Sequence, residues 1–463
     1  MGSDSTITFA SDRPDGIVAA VLAIVIATGG GFGLHVYARH VAERGLGRAT
    51  ARNLPLRYQT LALQRAALAS GRVLPIYGSS ELFCCGDPLR PTQLFSTAAT
   101  GFRALALGRP GTANLFFMQT FAVLGGALRD RNVVLSESPS WFYTARGVAK
   151  SAYASTFLPE LVYPFLFDAP ISRRIRQVAA RRMLAFPDTL SDEPLLRLAL
   201  EAVADPTPRH AAEYAGLAPL GHLASWAAKI RDDARTVVFG WQLRRLGPPP
   251  RPRQTPGDWT TLATRATDIA QRRDTTNPFG FPDDVYGTLR REPRFPELVA
   301  RYRSGATNRD GTLLPPPTGW QAAMEGSMEW TDLRLALRAL HEVGARPLVW
   351  SLPLPGPFED YTRHSAAARR AYYDRYERAV APAKVAWLDF RAHDEDTYFL
   401  NDPGSHLSSR GWAFADRALD LFWHGRSIDD IRAELAGLAR AVPPPVPPQT
   451  IAHAAAIEGG VAR

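Results

Sequence analysis

The 463-residue chain lacks the sequence patterns of several large functional classes. It has neither the His-Glu-x-x-His pattern nor the paired Cys-x-x-Cys motifs of common zinc sites. No Gly-rich phosphate-binding loop is found either, since Gly29, Gly30 and Gly31 lie inside a long apolar run where helix packing is the simpler role. We therefore expect an activity that needs no metal and no cofactor.

The sequence also disfavours nucleic acid as a partner. It contains no helix-turn-helix spacing, no zinc-finger set and no basic stripe interleaved with aromatic residues. Lys and Arg nevertheless total 54 against 45 Asp and Glu, which gives a formal net charge of +9. A positive field of this kind favours phosphate-bearing polymers or an anionic membrane surface over cationic partners.

Cysteine is scarce, with only Cys84 and Cys85 in the chain. Adjacent cysteines cannot supply a disulfide framework, and a bond between neighbours would be strained. We interpret the pair as two small buried hydrophobic side chains. A redox or acyl-carrying role is the alternative, because both cysteines follow Ser80 closely.

Long apolar runs are rare, but one lies near the N-terminus. Residues 16–38 carry no formal charge, and roughly 20 apolar residues suffice to cross a membrane. We predict an N-terminal tail over 1–15 and a transmembrane anchor over 16–38. A cleaved signal peptide or a buried helix is the alternative. Arginines follow the run and acidic residues precede it, which by the positive-inside rule favours a cytoplasmic domain, although large domains can translocate despite that bias.

The rest of the chain has the pattern of an α/β protein. Residues 39–70 are predicted to form a helical stalk, and short apolar runs predict strands near residues 73–77, 102–107, 132–136, 346–352 and 384–390. Strands that alternate with helices indicate a doubly wound parallel sheet with helices on its faces. We assign this domain to residues 71–425, with a mainly helical insertion at about 151–330 and a Pro/Ala-rich tail over 426–463.

The first predicted strand leads directly into Gly78, Ser79 and Ser80. A serine hydroxyl becomes a nucleophile when an imidazole takes its proton and a carboxylate orients that imidazole. A helix start after Gly78 would place the hydroxyl where backbone N–H groups stabilise an oxyanion. Ser80 is the preferred nucleophile and Ser79 the second choice, while Glu81 is interpreted as a charge at the helix N-terminus.

A histidine with a nearby carboxylate lies near the other end of the domain. Asp402 precedes His406 by four residues in a predicted loop before a helix, so the carboxylate can receive the Nδ1 proton while Nε2 faces the serine. The competing histidines are His364, His393 and His424. Only His393, which Asp394 follows, keeps some weight.

The order Ser80, Asp402, His406 is the chain order of SGNH-type hydrolases. More specifically, the chain resembles the DltD family, membrane-anchored SGNH-like proteins of teichoic acid D-alanylation, from the anchor to about residue 425. The motifs that carry the resemblance are Tyr77–Leu82, Ser138–Phe142, Asn277–Phe281, Glu329–Leu333, Pro357–Thr362, and Asp402 with His406, Leu407, Gly411 and Trp412.

The resemblance implies an SGNH-hydrolase-like fold and a single-pass protein of the cell membrane with an extracytoplasmic catalytic domain. It implies transfer of D-alanine to a polyanionic surface polymer, with a D-alanyl carrier and a DltB-like membrane-bound O-acyltransferase as partners. The backbone N–H groups of Gly108 or Gly111 are candidates for the oxyanion site, and Trp141 is either core or a pocket wall. The alternatives are an O-acetyltransferase or esterase of surface polysaccharide and a non-catalytic scaffold of an acyltransferase complex.

Overall fold

The computed structural model describes most of the chain outside four longer segments and a few short gaps. The described residues are 13–84, 86–249, 258–272, 320–356, 359, 364, 366–402 and 406–445. The motif Asn277–Phe281, most of Pro357–Thr362 and the Pro-rich linker at 250–257 lie outside them. For Asp402 the backbone is described but the side chain is not.

Helices dominate the described residues. They are α1 (Arg13–Ala49), α2 (Leu61–Ser70), α3 (Pro91–Thr97), α4 (Asn114–Leu124), α5 (Lys150–Thr156), α6 (Pro159–Phe167), α7 (Arg173–Leu184), α8 (Pro194–Ala204), α9 (Pro208–Arg245), α10 (Trp259–Gln271), α11 (Trp320–Glu325), α12 (Glu329–Glu342), α13 (Ala366–Val380), α14 (Ser409–Trp423) and α15 (Ile428–Ala441). The strands are β1 (Val73–Gly78), β2 (Arg103–Gly108), β3 (Asn132–Glu137), β4 (Arg346–Ser351), β5 (Ala386–Asp389), β6 (Leu400–Asp402) and β7 (His406–Leu407).

Five of the strands form one parallel sheet in the order β2-β1-β3-β4-β5. The strands predicted from the sequence are confirmed within two residues at each end. The order of the strands reverses beside β1, and in open parallel sheets ligands bind near such a point, at the carboxyl ends of the strands. Ser79 and Ser80 follow the carboxyl end of β1 directly.

Both faces of this sheet are covered by apolar side chains. Along β1, Leu74 and Ile76 belong to one buried cluster, whereas Val73 and Tyr77 belong to the other. The first cluster continues into α10 and α14, and the second continues into α4 and α12. Since burial of one large apolar side chain contributes about 1.5–3 kcal/mol, these two clusters hold the sheet rigidly between helices.

The predicted insertion lies between β3 and β4, and its described residues form helices joined by loops. It begins with α5 and continues through α9 and α10 to the start of α12. Its longest helix, α9, packs against both α6 and α1. The insertion therefore joins the N-terminal helix to the domain.

The N-terminal helix α1 is longer than the predicted anchor. Within residues 18–49, this helix contains an 18-residue window that is apolar enough to cross a membrane, and side chains near its N-terminus are exposed, with Val18 and Ile26 each at 65%. Its C-terminal part packs on α9, where a Cβ at Gly240 would lie only 2.0 Å from Val41 Cγ1. Glycine at this position allows the two helices to approach closely.

Two predicted boundaries differ from the structure. The stalk over 39–70 is not one helix, because α1 ends at Ala49 and the side chain of Thr60 caps a separate helix, α2. The domain also extends beyond residue 425, because the buried Ile431 and Leu438 of α15 join the core. The apolar residues of α15 recur at helical spacing. Because a proline-rich sequence follows them, the whole stretch from residue 426 was predicted to be a tail.

Candidate active site

The two serines after β1 have different environments. Ser79 is 1% exposed, and its Oγ donates to the carbonyl oxygen of Arg109 (3.2 Å) and accepts from the N–H of Gly111 (2.9 Å). The hydroxyl of Ser79 thus ties the end of β1 to the turn after β2. Ser80 is only partly buried. Ser79 thus has a structural role, which leaves Ser80 as the candidate nucleophile.

The helix expected after Gly78 is wrong in its extent. Ser80–Leu82 form a single 3₁₀ turn, and the next α-helix begins only at Pro91. The reason is local, because the Glu81 carboxylate turns inward to accept the Ser79 N–H (2.6 Å), and Gly86 and Pro88 prevent the turn from continuing as a helix. A turn this short has almost no macrodipole, so it cannot supply the oxyanion stabilisation expected from a helix.

The two glycines proposed for an oxyanion site are engaged elsewhere in this structure. The N–H of Gly108 donates to Gln59 Oε1 (2.6 Å), and the N–H of Gly111 donates to Ser79 Oγ. Gly108 has a φ of 124°, and a Cβ there would lie 1.8 Å from the Gly78 carbonyl oxygen, so only glycine fits. Either N–H could donate to an oxyanion only if its present hydrogen bond were broken. The assignment of Gly108 or Gly111 to an oxyanion site stays a prediction.

The distant histidine lies at the serine turn. Strand β7, which begins with His406, packs against the Ser80–Leu82 turn. Burial raises the pKa of Glu81, one residue after Ser80, and His406 lies close enough to oppose this rise. In the two-stranded antiparallel ribbon β6-β7, the backbones of Asp402 and His406 are direct partners. The structure therefore brings these two backbones together and brings His406 to the turn that carries Ser80, whereas the carboxylate of Asp402 lies outside the described atoms.

The competing histidines serve other purposes. His393 is buried and stacks on Phe399 with ring centroids 4.0 Å apart. His364 Nδ1 lies 2.6 Å from Glu359 Oε2, and its ring stacks on Trp320. His424 is exposed and bonds to the backbone at the end of α14. His406 is thus the histidine that the structure brings to the serines.

Cys84 stands at the end of the same short segment. It is disulfide-bonded, which differs from the expected pair of reduced hydrophobic side chains. Cys85 lies outside the described residues.

A cluster of buried carboxyl groups lies behind the serine turn, at Glu81, Glu137 and Glu329. Asn114 Nδ2 donates to Glu137 Oε2 (2.8 Å) and to Glu329 Oε1 (3.1 Å), which joins two of these glutamates. Burial raises the pKa of Glu137 well above its usual value and that of Glu329 to about 8, where Asp332 adds to the rise. Burial also raises the pKa of Glu81, against the opposing effects of the Ser79 N–H and the His406 charge. Burial therefore favours the protonated form of all three carboxyl groups.

The Glu329→Gln variant is expected to lose less stability than the wild type as the pH rises. The unfolded chain releases the Glu329 proton near its usual pKa of 4.5, but the folded chain keeps it up to about pH 8, so stability falls between these values. At about 1.4 kcal/mol per pKa unit, Glu329 lowers the free energy of unfolding of the wild type by about 2–3 kcal/mol between pH 6 and pH 9. Urea unfolding of both proteins at the two pH values measures the difference.

The matched control for this measurement is Glu325→Gln, because Glu325 lies only four residues earlier and is exposed. Its unfolding free energy should follow the wild type across the pH range. If Glu329→Gln showed the same loss as the wild type, the proton would not reside on Glu329.

Comparison with known proteins assigns the chain to a family. A family profile described as DltD protein matches residues 55–424. Protein DltD of Bacillus subtilis (strain 168) is 27% identical over 386 residues, which span 81% of this chain and 88% of the relative. Protein DltD of Staphylococcus aureus (strain NCTC 8325 / PS 47) is 22% identical over 372 residues, which span 80% and 85%. The chain belongs to the DltD family.

DltD proteins participate in D-alanine transfer in the D-alanylation of teichoic acids. The resemblance found in the sequence is therefore confirmed. The matched range contains β1 with its serines, the insertion, and the β6-β7 ribbon with His406.

In this DltD family member, a large cleft opens beside the serine turn. Its volume is about 1170 Å³, and its walls include Gly111, Ser140 and Trp141. Trp141 also packs against the core, so it combines the two roles that the sequence left open. Among the described residues, neither Ser80 nor His406 lines this cleft, and Gly111 connects it only to Ser79, whose hydroxyl accepts from the Gly111 N–H.

Sequence reasoning missed the carboxyl cluster of this DltD chain almost entirely. The sequence interpretation of Glu81 is a charge at a helix N-terminus, yet its side chain is buried, with 1% exposed. Glu137 ends a strand whose centre, Val133–Leu135, is apolar, and a charged residue in such a buried strand is a signal for a buried polar contact. No metal site accounts for the cluster, because the described residues contain no group of three or more His, Cys, Asp or Glu that could hold an ion.

Proposed function

We propose that this chain is a serine acyl-transfer enzyme that transfers D-alanine from an ester to a polyanionic cell-surface polymer. The observation that carries the proposal is the position of His406 at the Ser80–Leu82 turn, although more than 300 residues separate them in the sequence. Membership of the DltD family supports D-alanine as the acyl group.

The chemistry needs two displacement steps. Ser80 Oγ attacks the acyl carbonyl carbon while His406 takes the hydroxyl proton, and His406 then returns that proton to the leaving oxygen or sulfur. In the second step, a hydroxyl of the polymer gives its proton to His406 and attacks the carbonyl carbon of the D-alanyl ester on Ser80. The bond between that carbon and Ser80 Oγ then breaks, and His406 returns the proton to Ser80 Oγ. Asp402 is the proposed orienting carboxylate, which its backbone pairing with His406 supports.

We assign the domain to an SGNH-like, doubly wound fold. The strand order β2-β1-β3-β4-β5 is one of the common orders of doubly wound sheets, and apolar clusters cover both faces of the sheet. The serine that follows β1 then stands where such folds place their ligand sites.

We propose that α1 anchors the protein in the cell membrane by a single span, with the catalytic domain on the extracytoplasmic side. The length and apolar composition of α1 support the span. A surface polymer as acceptor requires the extracytoplasmic side. A membrane-bound O-acyltransferase and a D-alanyl carrier are the proposed partners, and the net charge of +9 suits an anionic membrane and polymer.

The test is to trap the acyl enzyme on the purified full-length chain in detergent. The p-nitrophenyl ester of D-alanine should add one D-alanyl group to Ser80, detected by intact mass and peptide mapping, and a fluorophosphonate probe should label the same residue. Both signals should disappear in Ser80→Ala and persist in Ser70→Ala. If p-nitrophenyl acetate acylated Ser80 and the D-alanine ester did not, the acyl specificity proposed here would be wrong. Absence of both adducts would favour a scaffold.

A further inference from the structure

Helix α9 carries a row of large apolar side chains on its surface. Leu220, Leu223 and Trp226, here called the apolar row, are 58%, 59% and 39% exposed. Their spacing of three residues places them on one face of the helix. The same face continues toward the N-terminus of α9 through Ala212 and Gly216, which are also exposed. Neighbouring exposed apolar side chains of this size are typical of a contact site.

The other side of this part of α9 is fixed to the domain. Tyr214 Oη donates to the carbonyl oxygen of Leu166 in α6 (2.8 Å), and the Tyr214 ring stacks on Phe167. Ser225 is fully buried and donates from Oγ to Asp168 Oδ2 (2.5 Å). Because these contacts fix the rotation of α9 about its axis, the helix cannot turn the apolar row into the core.

Helices α1 and α9 run side by side in the same direction. A Cβ at Gly31 would lie 3.0 Å from the Trp226 ring, and further along both helices a Cβ at Gly45 would lie 3.1 Å from Leu243 Cδ1. Residue numbers thus rise together along the two helices. The residues of α9 that precede Trp226 therefore lie toward the N-terminal part of α1, which is the proposed membrane span.

The contact between Gly31 and Trp226 lies where α1 leaves the domain. The described side chains of residues 18–30 are exposed, and none of these residues carries a formal charge. His35, one turn after Gly31, instead places its Nδ1 3.0 Å from Asp233 Oδ2. The environment of α1 thus changes from apolar to polar at this level. Tryptophan is enriched at the boundary between membrane and water, which is where Trp226 would then lie.

We propose that the apolar row of α9 inserts into the interfacial layer of the lipid bilayer beside α1, as a second membrane contact of the domain. Helix α9 does not follow α1 through the membrane, because it packs on α6 and α8 and carries the charged Arg209 and Glu213 near its N-terminus. An amphipathic helix in this position lies along the membrane surface, with its apolar face in the headgroup region.

The bilayer is the favoured occupant because the apolar row continues the apolar surface of α1. The inference rests on the membrane span given under the proposed function, since the position of α1 sets the level of the bilayer. Two contacts fix the orientation of the domain, whereas a single helix would let the domain tilt about its anchor.

Spin labelling of the full-length chain in lipid nanodiscs tests this contact. The discs contain phosphatidylcholine and phosphatidylglycerol, and a nitroxide is attached through Leu223→Cys. Power-saturation EPR compares collisions with oxygen, which dissolves in lipid, and with a nickel chelate, which stays in water. The ratio of oxygen to nickel collisions should be about threefold or more above that of a water-exposed site, because insertion withdraws the side chain from water. The unsubstituted chain, treated with the same label, gives the background from Cys84 and Cys85.

Two matched controls use exposed apolar residues away from the proposed contact. Ile269 is 38% exposed in α10, on the opposite face of the sheet, and Trp241 is 58% exposed in α9 itself. Trp241 follows Trp226 along α9, about 22 Å further from the span at about 1.5 Å per residue. Labels at Ile269→Cys and Trp241→Cys should both collide mainly with the nickel chelate.

A label at Val21→Cys reports on the span separately, because Val21 is 55% exposed in the N-terminal part of α1. Nickel access at Leu223→Cys with a lipid-exposed label at Val21→Cys would reject the second contact and leave the span. Water exposure at both sites would reject the span and the contact together. A label at Leu223→Cys that is shielded from both reagents would overturn the proposal in favour of a protein on the apolar row. None of these outcomes depends on acylation of Ser80, so the proposed enzymatic activity is tested apart from them.

Discussion

Replacing Ser80 or His406 by alanine is expected to lower the rate of D-alanyl ester hydrolysis by about 10⁴-fold or more. The nucleophile and its base act as one unit, because neither the attack nor the proton transfer proceeds without the other. The double variant should consequently be no slower than either single variant. The measurement is release of p-nitrophenol from the D-alanine ester by the purified chain, with folding checked by circular dichroism.

Two controls match these substitutions. Ser70→Ala removes an exposed serine hydroxyl at the end of α2, and His424→Ala removes an exposed histidine at the end of α14, both away from the serine turn. Each should keep the wild-type rate. If the losses in Ser80→Ala and His406→Ala multiplied in the double variant, the two residues would act independently, and the mechanism given above would fail.

Loss of the Asp332 carboxylate is expected to destabilise the fold by about 3–5 kcal/mol. Arg182 Nε donates to Asp332 Oδ1 (2.8 Å) and Nη2 donates to Oδ2 (2.7 Å), with the two side chains 7% and 0% exposed. This pair joins α7 of the insertion to α12, which leads into β4. Asp332→Ala leaves a buried guanidinium without its partner, and such uncompensated charges are costly. Urea unfolding followed by tryptophan fluorescence measures the loss.

The paired substitution Arg182→Met with Asp332→Leu separates charge burial from lost packing. Two apolar side chains of similar volume remove both charges together, so this double variant should recover most of the stability lost in Asp332→Ala. A double variant as unstable as Asp332→Ala would show that the geometry of the ion pair itself, rather than the unpaired charge, holds these helices.

The sequence predicted the sheet well because its signals are local. β1, β3 and β4 are short runs rich in apolar and β-branched residues, bounded by glycine or charged residues that interrupt the pattern. Gly71, with a φ of 61°, ends α2 directly after residue 70, the predicted end of the stalk. The family motifs could also be recognised in the sequence, because each is a contiguous stretch of residues.

The environment of the serine turn could not be predicted in the same way. The sequence shows Glu81 next to Ser80, but only the folded chain shows that this carboxyl turns inward and bonds to the Ser79 N–H. The same holds for Asn114, which joins Glu137 to Glu329 from 23 and 215 residues away. Long-range polar contacts of this kind leave no periodic pattern in the sequence.

The sequence by itself thus determined the order of the strands and helices, the apolar N-terminal helix and the family. The tertiary structure decided which serine hydroxyl is tied to the backbone, which histidine reaches the serine turn, and which residues line the large cleft that contains Gly111. The physical reason is that local propensity and periodicity act over a few residues, whereas burial and charge depend on what the rest of the chain packs around each group.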